Sequence, residues 1–79
     1  MKLSELALGQ RGRVISVRSE SPVVQRLLEL GFVAGAEVEV ARQAPYFGDP
    51  IAVRVRGALI ALRRSEAEAV EVGEVQVQS

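Results

Sequence analysis

The side chains of this chain that could bind a metal or transfer a proton are almost all carboxylates. Its 79 residues include ten acidic residues and no histidine or cysteine, so imidazole and thiolate groups are absent. Transition-metal sites commonly use those two groups, and histidine is the commonest general base. We therefore expect no metal site and no required cofactor. The carboxylates are Glu5, Glu20, Glu29, Glu37, Glu39, Asp49, Glu66, Glu68, Glu71 and Glu74.

The sequence also lacks the motifs of nucleophilic catalysis and phosphate binding. Without histidine or cysteine it has no Ser–His or Cys–His pair. The stretch from Gly9 to Gly12, "GQRG", lacks the helix and the Lys-Ser/Thr that a phosphate-binding loop requires. An arginine that acts in trans on a GTPase is conceivable, but no arginine stands out from a solvated or paired one. We expect that the protein is not an enzyme and has no catalytic residue.

A nucleic-acid-binding module is the main alternative among non-enzymatic classes. Small barrels that open on "GxxGxV", here Gly9 to Val14, also occur in RNA-binding proteins, and three arginines lie near that opening. Against this, ten basic residues balance ten acidic ones, and only three aromatics could stack on bases. We therefore expect no nucleic-acid binding. The arginines are Arg11, Arg13 and Arg18, and the aromatics are Phe32, Tyr46 and Phe47.

A protein-interaction module is the remaining class, and three residues are its candidate contacts. Tyr46 and Phe47 are adjacent in "PYFGDP", where prolines at both ends lower the entropy lost on docking. Aromatic side chains often anchor interfaces. Arg26, on the exposed side of a predicted helix, would add a charge at the rim. The alternative for the two aromatics is that both fold back over the core.

Alternating apolar and polar residues predict about five short strands in a single domain, residues 1–79. In "IAVRVR" the residues Ile51, Val53 and Val55 should face in, and Arg54 and Arg56 should face out. Short strands about ten residues apart, joined by glycine turns, favour a small barrel whose closure removes exposed edges. The other strands are predicted at 12–17, 36–42, 59–63 and 69–77. Val14 and Ile15 should form the apolar centre of the first strand.

One short α-helix is predicted from Ser21 to Leu30. Ser21 is a favourable N-cap, Pro22 a favourable first helical residue, and Gly31 a favourable left-handed end. Gly35 should then turn the chain into the next strand, so this corner is interpreted as architecture. The apolar stripe that should pack across the barrel consists of Val24, Leu27 and Leu28.

Two further helical turns and one set of ion pairs are predicted. A capping box of Ser65 and Glu68 predicts a turn before the last strand, and an N-terminal turn should end at Gly9. Glu37 and Glu39 share one strand face, and cross-strand pairing with Arg54 and Arg56 is expected for them. The apolar residues of the N-terminal turn are Leu3, Leu6 and Leu8.

The stretch "RLLELGFVAG", Arg26 to Gly35, resembles the FeoA family of small cytosolic proteins of bacterial ferrous iron uptake. The resemblance continues through "PYFGDPIAVRVRG" and "IALRRSEAEAVEV", so it covers nearly the whole chain. The same module forms the C-terminal domain of some iron-dependent repressors. The chain departs from the family twice. Ala34 stands where a proline usually precedes Gly35, and the "PYFGDP" loop is one residue longer.

The resemblance implies an all-β, Src-homology-3-like small barrel of about five strands with one short α-helix. It implies an accessory role in ferrous iron uptake, through contact with cytosolic parts of the FeoB transporter, a membrane GTPase. The protein would be cytoplasmic, at the inner membrane face through this partner, without inserting into the membrane. For metal binding, the resemblance implies at most that carboxylates bind Fe(II) or another divalent metal weakly. A homo-oligomer is compatible with the sequence. A repressor domain is the less favoured alternative, because no helix-turn-helix precedes the module.

Overall fold

The fold is an antiparallel five-stranded sheet, seen in a computed structural model that describes residues 1–18, 20–45 and 48–75. The sheet order is β4-β3-β2-β1-β5, so the last strand returns to pair with the first. The predicted all-β class with about five strands is confirmed. The strands are β1 Arg11–Val17, β2 Glu37–Gln43, β3 Ile51–Val55, β4 Ala58–Leu62 and β5 Val70–Glu74.

The hydrophobic core lies on one face of this sheet, because side chains alternate along each strand. On β3 the residues Ile51, Val53 and Val55 are buried and Arg54 is exposed, as predicted. Phe32, from the segment between the helix and β2, is also fully buried. Charged residues therefore collect on the opposite, outer face.

The helix α1 spans Val24–Leu30 and is shorter than the predicted Ser21–Leu30. The carbonyl of Ser21 accepts a hydrogen bond from the Val24 N–H at 3.2 Å, so Ser21 and Pro22 form a turn ahead of the helix. The predicted N-cap at Ser21 is wrong, because the cap position is Val23 and no side chain caps it. The predicted C-terminal end is confirmed, since Gly31 has a φ of 110°.

The buried stripe of α1 is narrower than predicted. Leu27 is fully buried, whereas Leu28 is 41% exposed. Consecutive helical residues differ in direction by about 100°, so a helix that packs by one edge cannot bury both. The prediction for Leu28 is therefore wrong.

A β-bulge in β1 changes the direction of Ile15. Val14 pairs with Val72 and Ser16 pairs with Glu71, so Ile15 is the extra residue between them. Of the two residues predicted as the apolar centre of this strand, Val14 is buried and Ile15 is 57% exposed. A bulge leaves one residue without a cross-strand partner and can turn its side chain outward.

The second helix, α2 Arg64–Ala67, begins one residue before Ser65. The predicted capping box of Ser65 and Glu68 is wrong, since the carboxylate of Glu66 accepts the hydrogen bond from the Arg63 N–H at 2.9 Å. Arg63 follows β4 in an extended conformation and is the cap position. The two capping positions are three residues apart, as predicted, but they are Arg63 and Glu66, two positions earlier in the sequence.

The N-terminal segment covers part of the outer edge of β5. Its 3₁₀ turn is Leu3–Glu5. The Val72 N–H donates to the Met1 carbonyl at 2.8 Å. Leu3 of this segment is fully buried, whereas Leu8 is 59% exposed. In the described part of the chain no helix is long and apolar enough to cross a membrane.

Candidate partner-binding surface

The carboxylates do not form a metal-binding cluster in the described residues, where no group of three or more acidic residues could hold an ion. Glu5, Glu68 and Glu71 line a groove beside the N terminus, together with Lys2 and Arg18. The N-terminal ammonium lies 3.4 Å from the Glu71 carboxylate, and Glu5 accepts a hydrogen bond from the Lys2 N–H at 2.6 Å. Glu71 and Glu5 are thus each engaged within the molecule, so an ion that bound them in this groove would have to displace these contacts.

Arg26, predicted as a rim charge for a partner, joins the two helices. Its Nη1 lies 2.5 Å from Oε2 of Glu66 on α2. Glu66 is 16% exposed and Arg26 is 54% exposed, so the pair lies at the surface with the carboxylate underneath. Arg26 is on the surface as expected, but part of its hydrogen-bonding capacity is already used within the molecule.

Tyr46 and Phe47, the other predicted contact residues, lie outside the described residues. The segment that begins at Gly48 is bound by the side chain of Arg64 on α2. Its Nε donates to the Gly48 carbonyl at 2.9 Å and its Nη1 donates to the Ser4 carbonyl at 2.9 Å. The end of the loop is thus fixed against the N-terminal turn, while a contact through Tyr46 and Phe47 stays a prediction.

The outer face of β1, β2 and β3 carries alternating positive and negative side chains. The strand register places Glu39 between Arg11 and Arg54. Glu39 pairs with Arg54 at 3.4 Å, as predicted. Glu37 pairs with Arg11 at 3.5 Å rather than with Arg56, because Arg56 lies in the turn beyond the end of β3.

Two arginines on this side of the molecule, Arg13 and Arg56, form no ion pair among the described residues. Arg56 has a φ of 51° and is followed by Gly57 with a φ of 82°. A non-glycine residue in this region costs of the order of 1–3 kcal/mol and is held there by its surroundings. A Cβ at Gly31 would lie 3.1 Å from the Arg56 Cδ, so the absence of a side chain at Gly31 makes room for the Arg56 stem. The arginine is thereby placed beside the corner between α1 and β2.

Two grooves meet at this corner. One, of about 490 Å³, is lined by Arg13, Ile15 and Gly35 among others. The other, of about 480 Å³, is lined by Ala34, Gly35 and Arg56 among others. Gly35 borders both grooves, Arg13 lines the first and Arg56 lines the second. We name these residues the corner surface, and it consists of Arg13, Ile15, Ala34, Gly35 and Arg56.

Sequence reasoning predicted the backbone of the corner but missed its exposed surface. Gly31 and Gly35 have φ values of 110° and 91°, which confirms their predicted turn conformations. The small residues Ala34 and Gly35 are both exposed. Such a run of small residues next to a glycine turn is the signal that could have indicated an accessible surface.

Comparison with known sequences gives one family and one curated relative. The FeoA domain family matches residues 1–74. A protein of Porphyromonas gingivalis, the Fe(2+) transport protein A/Fe(2+) transporter FeoB fusion protein, is 36% identical over 72 residues. The match covers 91% of this chain and 8% of that relative, so this chain spans only a small part of the relative's length.

Comparison with solved structures gives the same family. The FeoA protein of Chlorobium tepidum is 47% identical with a TM-score of 0.86, over 100% of this chain and 74% of that one. The FeoA of Stenotrophomonas maltophilia, a prokaryotic SH3 domain protein solved with zinc, is 42% identical with a TM-score of 0.83. That match covers 92% of this chain and 89% of the other. The predicted SH3-like fold is confirmed.

Proposed function

This chain belongs to the FeoA family, and we propose that it is an accessory protein of bacterial ferrous iron uptake that binds a FeoB-type transporter. The observation that carries this proposal is the Porphyromonas gingivalis relative, which is a fusion of Fe(2+) transport protein A with the Fe(2+) transporter FeoB. Fusion keeps two modules at an effective concentration of the order of millimolar, so a contact between them needs only modest affinity. Both modules of that relative thus act in one place, which supports a contact between a FeoA domain and the transporter.

The character of the molecule supports contact with a protein partner. Its sheet is a rigid scaffold with charged side chains on the outer face, and such scaffolds commonly position contact residues on their loops and corners. Of the three aromatics, Phe32 is fully buried, so it offers no stacking platform to a base. The expected absence of nucleic-acid binding stays a prediction. The protein would work at the inner membrane face through the transporter, without catalysing a reaction itself.

Binding to the transporter is the direct test. The labelled full chain is titrated with the intact FeoB-type transporter of the same organism in detergent, and fluorescence anisotropy follows the complex. We expect saturable binding with a Kd of about micromolar or tighter when the 79-residue chain is added separately from the transporter. An unrelated transporter in the same detergent is the control. No saturation up to about 100 μM, or equal binding of the control, would contradict the proposal.

Metal binding is expected to be weak. The relative from Stenotrophomonas maltophilia was solved with zinc, but this chain has no histidine or cysteine to offer. In the N-terminal groove Glu71 already pairs with the N-terminal ammonium, and Glu5 already accepts a hydrogen bond from the Lys2 N–H. Calorimetry with Fe(II) under anaerobic conditions, and with Zn(II), should therefore show no stoichiometric sub-micromolar site on the monomer. A tight site that Glu68→Gln and Glu71→Gln together abolish would show that the groove does bind metal.

A further inference from the structure

We propose that the corner surface is the site where this protein binds the transporter, and that it takes an extended acidic segment of that partner bearing an apolar side chain. This inference rests on the proposed function and deepens it by naming the surface and the chemistry of the bound segment. Its basis is the arrangement of charge, apolar area and backbone around Gly35.

The charges of the corner surface suit a partner's carboxylates. Glu37 and Glu74 also line the two grooves, but Glu37 pairs with Arg11 and Glu74 accepts a hydrogen bond from the Gln10 side chain. Arg13 and Arg56 are exposed and form no ion pair among residues 1–18, 20–45 and 48–75. Guanidinium groups bind carboxylates through strong charge-assisted hydrogen bonds. Gln10 is neutral and so supplies no positive charge to Glu74, but the two arginines are the cations of the corner surface that form no ion pair among the described residues.

The corner surface also offers an apolar side chain and glycines that carry no side chain. The bulge turns Ile15 outward, where it is 57% exposed. A Cβ at Gly73 would lie 3.7 Å from the Ile15 Cδ1, so the missing side chain at Gly73 leaves one flank of Ile15 open. A Cβ at Gly35 would have no atom within 4 Å. An extended backbone can therefore approach the corner surface closely and place an apolar side chain against Ile15.

The position of the corner surface separates it from the predicted contact at Tyr46 and Phe47. The corner precedes β2, whereas the loop that contains the two aromatics follows β2. The turn at Arg56 joins β3 to β4 at the corner end, because Val55 pairs with Val38. Variants at the two ends of the sheet therefore distinguish the two surfaces.

The test is the same transporter titration with variants at each end of the sheet. The corner variant is Arg13→Glu with Arg56→Glu, and its matched control is Arg42→Glu with Arg63→Glu. Both control arginines are exposed, form no ion pair among the described residues, and lie toward the loop end of the sheet. A second pair, Ala34→Glu and its control Ala61→Glu, adds one negative charge to an exposed alanine without removing an arginine. Thermal melts accompany each titration.

We expect the corner double variant to bind about tenfold or more weakly, because like charges then face each other across the interface. Ala34→Glu should weaken binding in the same direction, and both controls should bind like the wild type. The affinity of the wild type should also fall with rising salt, and that of the corner variant should depend less on salt.

Other results would overturn the inference. If the wild type binds and both corner variants bind equally well, the inference is wrong while the proposed function stands. If only the arginine control loses binding, the partner docks at the loop end, and the inference is again wrong. If the wild type does not bind the transporter, the proposed function fails and this inference fails with it. If the double variant unfolds, the affinity of Ala34→Glu relative to Ala61→Glu tests the inference instead.

Discussion

Replacing Leu27 with alanine is expected to lower the free energy of unfolding by about 2–4 kcal/mol. Leu27 is fully buried and belongs to the core cluster, with Val23 and Leu30 packed against the same core. Its N–H donates to the Val23 carbonyl at 3.0 Å, and its carbonyl accepts from the Phe32 N–H at 3.0 Å. These hydrogen bonds lie within α1 and its C-terminal cap, so they do not depend on the Leu27 side chain, and the cost comes from its lost core contacts and the cavity left behind. A small domain has little stability to spare.

The neighbouring residue provides the control. Leu28→Ala removes the same atoms from the same helix, but Leu28 is 41% exposed, so we expect a smaller loss of about 1 kcal/mol. Urea denaturation of both variants, with thermal melts in parallel, measures the difference. Equal losses for the two variants would show that α1 does not pack by its Leu27 edge as the structure has it.

Replacing Arg64 with methionine is expected to cost about 1–3 kcal/mol of unfolding free energy. Methionine keeps an unbranched apolar side chain but removes the guanidinium, which donates to the carbonyls of Gly48 and Ser4 at 2.9 Å each. These hydrogen bonds are partly buried, so their loss leaves two carbonyls poorly satisfied. Hydrogen exchange at residues 3–6 and 48–52 should quicken as the loop end separates from the N-terminal turn.

Arg63→Met is the matched control for this variant. Arg63 is the adjacent residue and is exposed, and the hydrogen bond that it makes to Glu66 comes from its backbone N–H. We expect a change within about 0.5 kcal/mol for a surface substitution of this kind. If the two methionine variants are equally stable, the guanidinium of Arg64 does not hold the loop.

Features that depend on a few neighbouring residues could be predicted from the sequence. The alternation in β3 indicated correctly that Ile51, Val53 and Val55 are buried, because side chains alternate along any strand. Gly31 could be assigned to the end of α1 because a left-handed residue there favours glycine. The resemblance to the FeoA family rested on motifs of the same local kind, and the family match over residues 1–74 confirms it.

Features that depend on a distant partner could not be predicted. Ile15 was predicted in the apolar centre of β1, but its exposure follows from a bulge that exists only because β5 pairs with β1 in that register. Leu28 was predicted in the buried stripe, but α1 packs against the core by the edge that carries Leu27, and Leu28 is left partly exposed. The capping carboxylate proved to be Glu66, which also receives Arg26 from α1, forty residues away in sequence.

The sequence by itself determined what this protein lacks and which units it builds. The absence of histidine and cysteine removes the usual metal ligands and general base whatever the fold, since composition does not change on folding. The tertiary structure alone decided which charges are paired and which surface is left accessible. Arg13 and Ile15 come from β1, Gly35 from the corner and Arg56 from the turn after β3. They form one surface only because the sheet brings together segments whose separation along the chain no local pattern encodes.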